Sequence, residues 1–533
     1  MKQLTLILSA LVLCASSAWA QVDYNVIPRP ASVTLSPKGE RFPLMQQAIV
    51  TYEAGSPELE STARLLCQYV QEASGLRLQP QAGVKKGASV LLALGLKSDN
   101  PDAYTLSVSK QGVRIQGASA SGVFRGMQTL RKAIGTESGD TLLLPYATIQ
   151  DEPRFPYRGV MLDCARHHFS VDFIKRYIDV MALHGCNTLH WHLTDDQGWR
   201  FEVKSMPELT QKGSIRKQTV IGRNSGVYDG QEYGRGLYYT QEQCRDIVRY
   251  AAERHIQVIP EIDLPGHMVA ALHVYPELGC TGGPYEVWPL WGVADDVLCA
   301  GNPKTLPFLK KVLDETADVF PASMIHIGGD ESPRVRWKNC PKCQAKMKEL
   351  GLKHEAELQT YINKELEAHL SQRGRTLIGW DETLEGGLSP KAVVMSWRGY
   401  EGGIAAAQQG HPVIMTPTSN CYIDYYQLKD QHHQPLAIGG YLPLSRVYEM
   451  EPVPAELTEE QRPLILGAQC NLWTEYVTAP DHALYMLLPR LDAMSEVQWT
   501  QPGRKDFDDF KARLPRMLSL YRKLGYTFCP AYE

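Results

Sequence analysis

The chain has 533 residues, 44% of them hydrophobic and 21% charged, too long for one ordinary core and too apolar to stay unfolded, so at least two packed domains are expected. Its 55 basic residues face 59 acidic ones for a net charge of -4, which leaves no broad cationic field for nucleic acid or an anionic lipid surface. Past the first twenty residues no run approaches the roughly 20 apolar residues that a membrane-spanning helix needs, so membrane insertion is not expected either.

The chain opens with Lys2, an apolar stretch from Leu4 to Leu13 and then Ala18-Trp19-Ala20, the small-x-small pattern of a cleavage site. Residues 1–20 therefore read as a signal peptide, and the protein as exported, periplasmic or secreted. Lipid attachment at Cys14 is the alternative, but bulky Leu13 before it and the Ala-x-Ala site after it favour simple cleavage. Removal of Cys14 leaves eleven of the twelve cysteines, an odd and sparse set that leaves at least one thiol free and forms no disulfide scaffold. Cys280 and Cys299 flank a loop rich in Gly, Pro and Trp and are the pair the sequence suggests as its staple. Cys340-Pro341-Lys342-Cys343 offers a loop disulfide or half of a zinc site. No second CxxC or paired His follows at zinc-ribbon spacing, which argues against zinc.

Residues 21–150 alternate short β-rich runs (48–52, 89–94, 104–109, 112–116) with helical stretches near 58–72 and 119–133, the pattern of a small α+β domain. Two prolines in Asp151-Glu152-Pro153-Arg154-Phe155-Pro156 then mark a boundary. From Tyr157 a new rhythm begins, in which a short apolar run ends in polar and aromatic residues and a helical stretch usually follows. The runs are 159–162 leading into Asp163 and Arg166, 188–193 into Thr194-Asp195-Asp196, 257–262 into Asp263 and His267, and 324–327 into Asp330-Glu331. Next come 376–379 into Trp380-Asp381-Glu382, 392–396 into Trp397-Arg398, 413–415 into Tyr422 and Asp424, and 464–468 into Trp473 and Glu475. Eight such units predict an α/β fold with a (β/α)8 TIM barrel over 151–500, whose functional groups gather at the C-terminal ends of the strands. Loops built only to connect would favour Gly, Ser, Asn and Lys over these Trp, Asp, Glu and Arg residues. Residues 501–533 read as a helical tail, with Phe507, Phe510, Leu514, Met517 and Leu520 at helical spacing, packed on the barrel.

The sharpest local feature is His326-Ile327-Gly328-Gly329-Asp330-Glu331. Adjacent acids cannot straddle a scissile bond, since retaining glycosidases hold their two carboxyl groups about 5 Å apart and inverting ones hold them further apart. They suit a substrate-assisted reaction, in which one acid protonates the leaving oxygen and its neighbour holds a 2-acetamido group whose carbonyl oxygen attacks. Alone, the pair reads better as a solvated acidic pair in a loop. The tryptophans change that balance: Trp380, Trp397 and Trp473 end three separate strands and can face one pocket, where flat apolar walls suit a sugar ring and an acetamide methyl. Arg166 offers a planar fork to two hydroxyls, and Asp424 and Glu475 offer acceptors to others.

The strings LDCARHHF, LHWHLTDDQGWR, PEIDLPGH, HIGGDE, GWDE, YID (422–424) and NLWTE together resemble the family 20 glycoside hydrolases, the β-N-acetylhexosaminidases. The resemblance runs in order over the whole barrel, and the domain before it is similar to the small α+β domain usual in that family. It implies Glu331 as general acid/base and Asp330 as the residue that orients the acetamide and stabilises an oxazolinium intermediate. It further implies Tyr422 as donor to the acetamide oxygen, Trp380, Trp397 and Trp473 as pocket walls, and Arg166, Asp424 and Glu475 as hydroxyl binders. Asp195 and His267 are implied as the polar shell that sets the charge of Glu331, with Asp196 as an alternative to Asp195. No cofactor is implied, and the expected partner is a glycan with a terminal N-acetylhexosamine.

Two rival classes remain for the same residues. His190-Trp191-His192 is an H-x-H on a barrel strand, as in metal-dependent amidohydrolases, but the fifth and sixth strands end in Trp380 and Trp397 rather than in further ligands. Hydrogen-bonded histidines inside the barrel are the better reading. The second is a sugar-binding protein that has lost the chemistry; the presence of both Asp330 and Glu331 argues against it, since binding alone would not need an unpaired acid aimed at the glycosidic oxygen.

Overall fold

The computed structural model describes residues 22–83 and 89–532; the leader and Cys14 lie outside them. Eight parallel strands close into a barrel: Tyr157–Asp163, Thr188–His192, Gln257–Glu261, Met324–His326, Thr376–Trp380, Val393–Ser396, Val413–Met415 and Ile465–Leu472. They correspond one for one to the eight apolar runs. The eighth strand pairs with the first from Tyr157↔Gly467 to Leu162↔Leu472, which closes the ring. Every residue of the first, second and sixth strands is buried, as expected where helices cover one face of a strand and barrel side chains cover the other.

Before the barrel, a seven-stranded sheet runs in the order Ser32–Leu35, Ala147–Asp151, Tyr104–Ser109, Gly112–Gly117, Val90–Ala93, Ile49–Tyr52, Gln79–Ala82. Helices Pro57–Ser74 and Ala120–Ile134 pack on it and on each other, and Arg41–Met45 pairs with Thr141–Pro145 as a separate ribbon. Five of the nine strands before the barrel fall outside the β-rich runs of the sequence. Ser32–Leu35 is exposed throughout and Gln79–Ala82 reads QPQA, because both are sheet edges that bury little and so are not held to alternation.

The two domains are joined by buried polar contacts. Asp102 pairs with Arg158 and, at 3.5 Å, with Arg125. Asp151 accepts from the indole of Trp499 at 3.0 Å and the hydroxyl of Tyr104 at 2.8 Å, and burial still pushes its carboxyl up to about 6. The tail helix, Phe507–Leu524, packs on the barrel and also touches the first domain. Its Arg513 pairs with Glu496 of the last barrel helix at 2.6 Å and donates to Val26 O at 2.8 Å, and its Arg516 donates to Lys132 O at 3.1 Å.

The cysteine staple needs correction. Cys280 and Cys299 are not joined, and none of the eleven cysteines of the described residues is in a disulfide. The loop between them folds back on the segment after the fourth strand, so that Cys280 and Cys299 meet Cys340 and Cys343 in one cluster of four.

Candidate active site

The fourth strand ends at His326, and Gly328 and Gly329 then turn the chain with φ of 63° and 93°. A Cβ at Gly328 would lie 1.8 Å from Asp263 Oδ1, so no side chain fits and the backbone can come close to the third strand's end. The Gly329 N–H donates to Asp263 Oδ1 at 3.1 Å and its carbonyl accepts from Gln359 at 2.6 Å. Glu331 follows at φ 42°, a left-handed conformation that a non-glycine residue adopts at a cost and that recurs at functional sites. This turn places Asp330 and Glu331 at the wall of a cavity of about 170 Å³ at the C-terminal mouth of the barrel, lined also by Arg166, Trp397, Tyr422, Asp424, Trp473 and Glu475. Thr418, Tyr425 and Ile438 complete the lining from the segment after the seventh strand.

Trp380 is not part of that lining. It lies 1% exposed beneath the cavity, its ring 6.0 Å from that of Trp473, and donates its indole N–H to Glu261 at 3.0 Å. It supports a wall rather than forming one. Trp397 stacks on Tyr422 with ring centres 6.0 Å apart and donates to Glu382 at 2.9 Å.

Behind the acids stands a relay of buried charges. His267 Nε2 lies 3.8 Å from Asp330 Oδ2 and 3.7 Å from Glu331 Oε2, and its Nδ1 lies 3.2 Å from Asp195 and 3.3 Å from Asp196. Both candidates for the polar shell thus touch the imidazole. Asp195 alone goes further, to Arg166 at 2.8 Å and His192 at 2.9 Å. Burial opposes charge on His267, but Asp195 and Asp196 outweigh it and hold the ring well above the usual imidazole range, as a cation. His192 continues the relay to Glu261 at 2.5 Å, and Glu261 also meets His190 at 2.9 Å and His326 at 3.1 Å. Burial works against the Glu261 carboxylate, yet the three histidines hold it well below the ordinary range. His190 and His192 thus lie in the barrel interior with their nitrogens turned to Glu261, Asp195 and Gln469.

The two acids sit in different settings. Burial first, and then the neighbouring Asp330, raise the Glu331 carboxyl, which suits a group that must carry a proton to its partner. Asp330 is also raised, by burial and by Glu261 and Asp195, with His267 pulling the other way. Asp263 is raised as well, first by burial and then by Asp330, so the two neighbouring acids oppose each other's ionisation. Asp330 Oδ1 and both oxygens of Asp424 are buried without a protein partner. Burial and Glu475 push the Asp424 carboxyl well above its usual range, the state of an acid awaiting a hydrogen-bonding ligand.

Arg166 is fixed by Asp163 at 3.3 Å, Asp195 at 2.8 Å and Gln197 at 3.0 Å, and lies 5.0 Å from the Trp473 ring centre. Asp163 in turn accepts from Thr474 N–H and hydroxyl at 3.1 and 2.9 Å, which ties the first strand's end to the eighth's. The reading of Arg166 as a hydroxyl binder predicts that Arg166→Ala costs about 2 to 4 kcal/mol in kcat/KM. Steady-state kinetics beside a melting curve checks it; an unchanged kcat/KM in a folded variant would remove Arg166 from the binding set.

Glu261, Glu382 and Gln197 stand in the sequence motifs but drew no role there. The signal for Glu261 was present: a charged residue inside an apolar barrel strand, Gln257–Glu261, needs buried partners. A larger hollow of about 570 Å³ opens at the N-terminal ends of the strands, beside Asp102, Arg125 and His255. Its one acid is already paired with two arginines, and strand N-termini in barrels serve stability.

The mouth of this barrel has the form of a glycosidase pocket: acids at the centre, an arginine fork at one side and indole walls. The chain belongs to glycosyl hydrolase family 20. The model of that family's catalytic domain matches residues 155–502, and the model of its domain 2 matches residues 23–152. A beta-hexosaminidase of Porphyromonas gingivalis is 45% identical over 502 residues, covering 92% of this chain and 62% of that protein. One of Vibrio furnissii is 40% identical, covering 74% and 64%. The chain thus spans less than two thirds of the length of either relative. The solved GH20 exo beta-N-acetylglucosaminidase of Vibrio harveyi, in complex with N-acetylglucosamine, superposes with a TM-score of 0.83 at 33% identity, over 95% of this chain and 79% of that one.

Proposed function

We propose that the protein is an exo-acting β-N-acetylhexosaminidase that removes terminal N-acetylglucosamine or N-acetylgalactosamine from the non-reducing ends of glycans or chito-oligosaccharides, with retention and assistance from the substrate's own acetamide. One observation carries the reading: Asp330 and Asp424, with buried oxygens that have no protein partner, line one small cavity with Glu331, Arg166 and two indoles. Names of the relatives and the ligand of the Vibrio harveyi structure support it.

In this reading Glu331, protonated at rest, gives its proton to the glycosidic oxygen as that bond breaks, and the acetamide carbonyl oxygen attacks the anomeric carbon to close an oxazolinium ring. Asp330 accepts the acetamide N–H and offsets the growing positive charge, while Tyr422 donates to the acetamide oxygen. Glu331, now a carboxylate, draws a proton from water, which opens the ring with net retention. His267 stabilises the negative charge as it arises on Glu331, so the acid need not move to be re-used.

Exo action follows from the far end of the pocket. Arg166, Asp424 and Glu475 come from the first, seventh and eighth strands, adjacent on the closed barrel, and charged bonds to the distal hydroxyls leave no space for a further sugar. Chito-oligomers should yield single N-acetylhexosamines from the earliest time points on a chromatogram. An early profile dominated by disaccharides or longer products would refute the closed pocket. Export to the periplasm or medium belongs to the same proposal, supported by the leader-like first twenty residues.

A further inference from the structure

Four cysteines converge about the loop after the third barrel strand. Cys280 and Cys299 bound that loop, while Cys340 and Cys343 stand at the start of the ten-residue helix Pro341–Leu350 that follows the catalytic turn. Cys299, Cys340 and Cys343 are buried and Cys280 is half-buried. The sulfur separations are even: Cys280 to Cys343 is 3.8 Å, Cys299 to Cys340 is 3.6 Å and Cys299 to Cys343 is 3.6 Å. Four sulfurs held tetrahedrally at about 2.3 Å from one zinc ion lie about 3.8 Å from one another. A disulfide would bring one pair to about 2.05 Å and separate it from the others, whereas no pair stands out here.

The surroundings fit thiolates. Gly301 admits no side chain, since a Cβ would fall 2.1 Å from Lys342 O. Cys340 is the N-cap of its helix, and Cys343 lies in the first turn, where the helix dipole favours negative charge. The Cys340–Cys343 spacing is the chelating C-x2-C of structural zinc sites. The second pair of ligands is separated in sequence, which is why no zinc-ribbon spacing marks it.

We propose that Cys280, Cys299, Cys340 and Cys343 hold one structural zinc ion, bound as four thiolates with release of their protons. Its role is to pin the loop to the helix after Glu331. That loop supports the pocket from behind: Trp288 N–H donates to Asp196 O at 3.0 Å, Leu298 N–H to Pro265 O at 3.0 Å, and Leu290 O accepts at 2.9 Å from Gln197, the residue that holds Arg166. The ion is thus a positioning element, remote from the reacting atoms.

Metal analysis of the purified full chain after gel filtration tests it without recourse to activity. About one zinc per chain is expected, with X-ray absorption showing four sulfur neighbours at about 2.3 Å. The variant carrying Cys340→Ser and Cys343→Ser should lose the zinc and melt at lower temperature; should it fail to fold, the wild-type stoichiometry still decides. Peptide maps of metal-free wild type that show these cysteines paired as disulfides would overturn the site. Four alkylatable thiols without metal, or iron in place of zinc, would overturn it equally.

Discussion

Glu331→Gln is expected to lower kcat/KM for glycosides with poor leaving groups by about 10² to 10⁴, and to recover part of that loss as the leaving group becomes more acidic. The amide keeps the shape of the acid and its contact with His267, 3.7 Å away, but has no proton to give. A Brønsted plot should therefore steepen sharply. The pH profile should change with it. Burial and Asp330 raise the Glu331 carboxyl, so the wild-type proton donor is present at low pH and lost as pH rises through that raised value, which gives kcat/KM an alkaline limb. In Glu331→Gln that limb should flatten. A variant with an unchanged Brønsted slope and an intact alkaline limb would assign the proton to another group.

Asp330→Asn should impair every substrate, whatever its leaving group, because Asp330 is assigned to the acetamide. It stands against His267 at 3.8 Å with one oxygen unpartnered, so it is held for a ligand donor and not for a neighbour in the protein. Neutralising it removes the counter-charge to the oxazolinium ion and leaves the cationic His267 less compensated, a loss of about 10² to 10³ in kcat by analogy with removal of one preorganised oxyanion donor. A thiazoline mimic of the cyclic intermediate should bind the wild type tightly and this variant far more weakly. Equal leaving-group dependence in the two variants would contradict the division of roles between adjacent acids.

The sequence shows the barrel clearly because its strands are buried on both faces and end abruptly in charged and aromatic residues. Val393–Ser396 leading to Trp397, and Met324–His326 leading to Asp330, are examples. Strands without that contrast were silent, as with Ser32–Leu35 and Gln79–Ala82 at the sheet edges. For the site, residue type and strand end were enough to bring Arg166, Glu331, Trp473 and Glu475 to one mouth. They could not show depth. Trp380 has the same position in its motif as Trp397, yet it packs under the cavity because its indole is drawn inward to Glu261. The partners of Glu261, which are His190, His192 and His326, emerge only when three strands are placed side by side. The four cysteines were obscured for the same reason: the residues that complete the cluster are joined by folding and not by spacing.

Reaction through the substrate's own acetamide is the central claim, and the most direct measurement compares kcat/KM for an aryl N-acetyl-β-glucosaminide with that for the aryl β-glucoside lacking the 2-acetamido group. Loss of the internal nucleophile removes an intramolecular advantage for which effective molarities of about 10⁵ M or more are known, so the glucoside should be slower by at least about 10³. Comparable rates for the two, with a covalent sugar adduct trapped on Asp330, Glu331 or any other carboxylate, would contradict it.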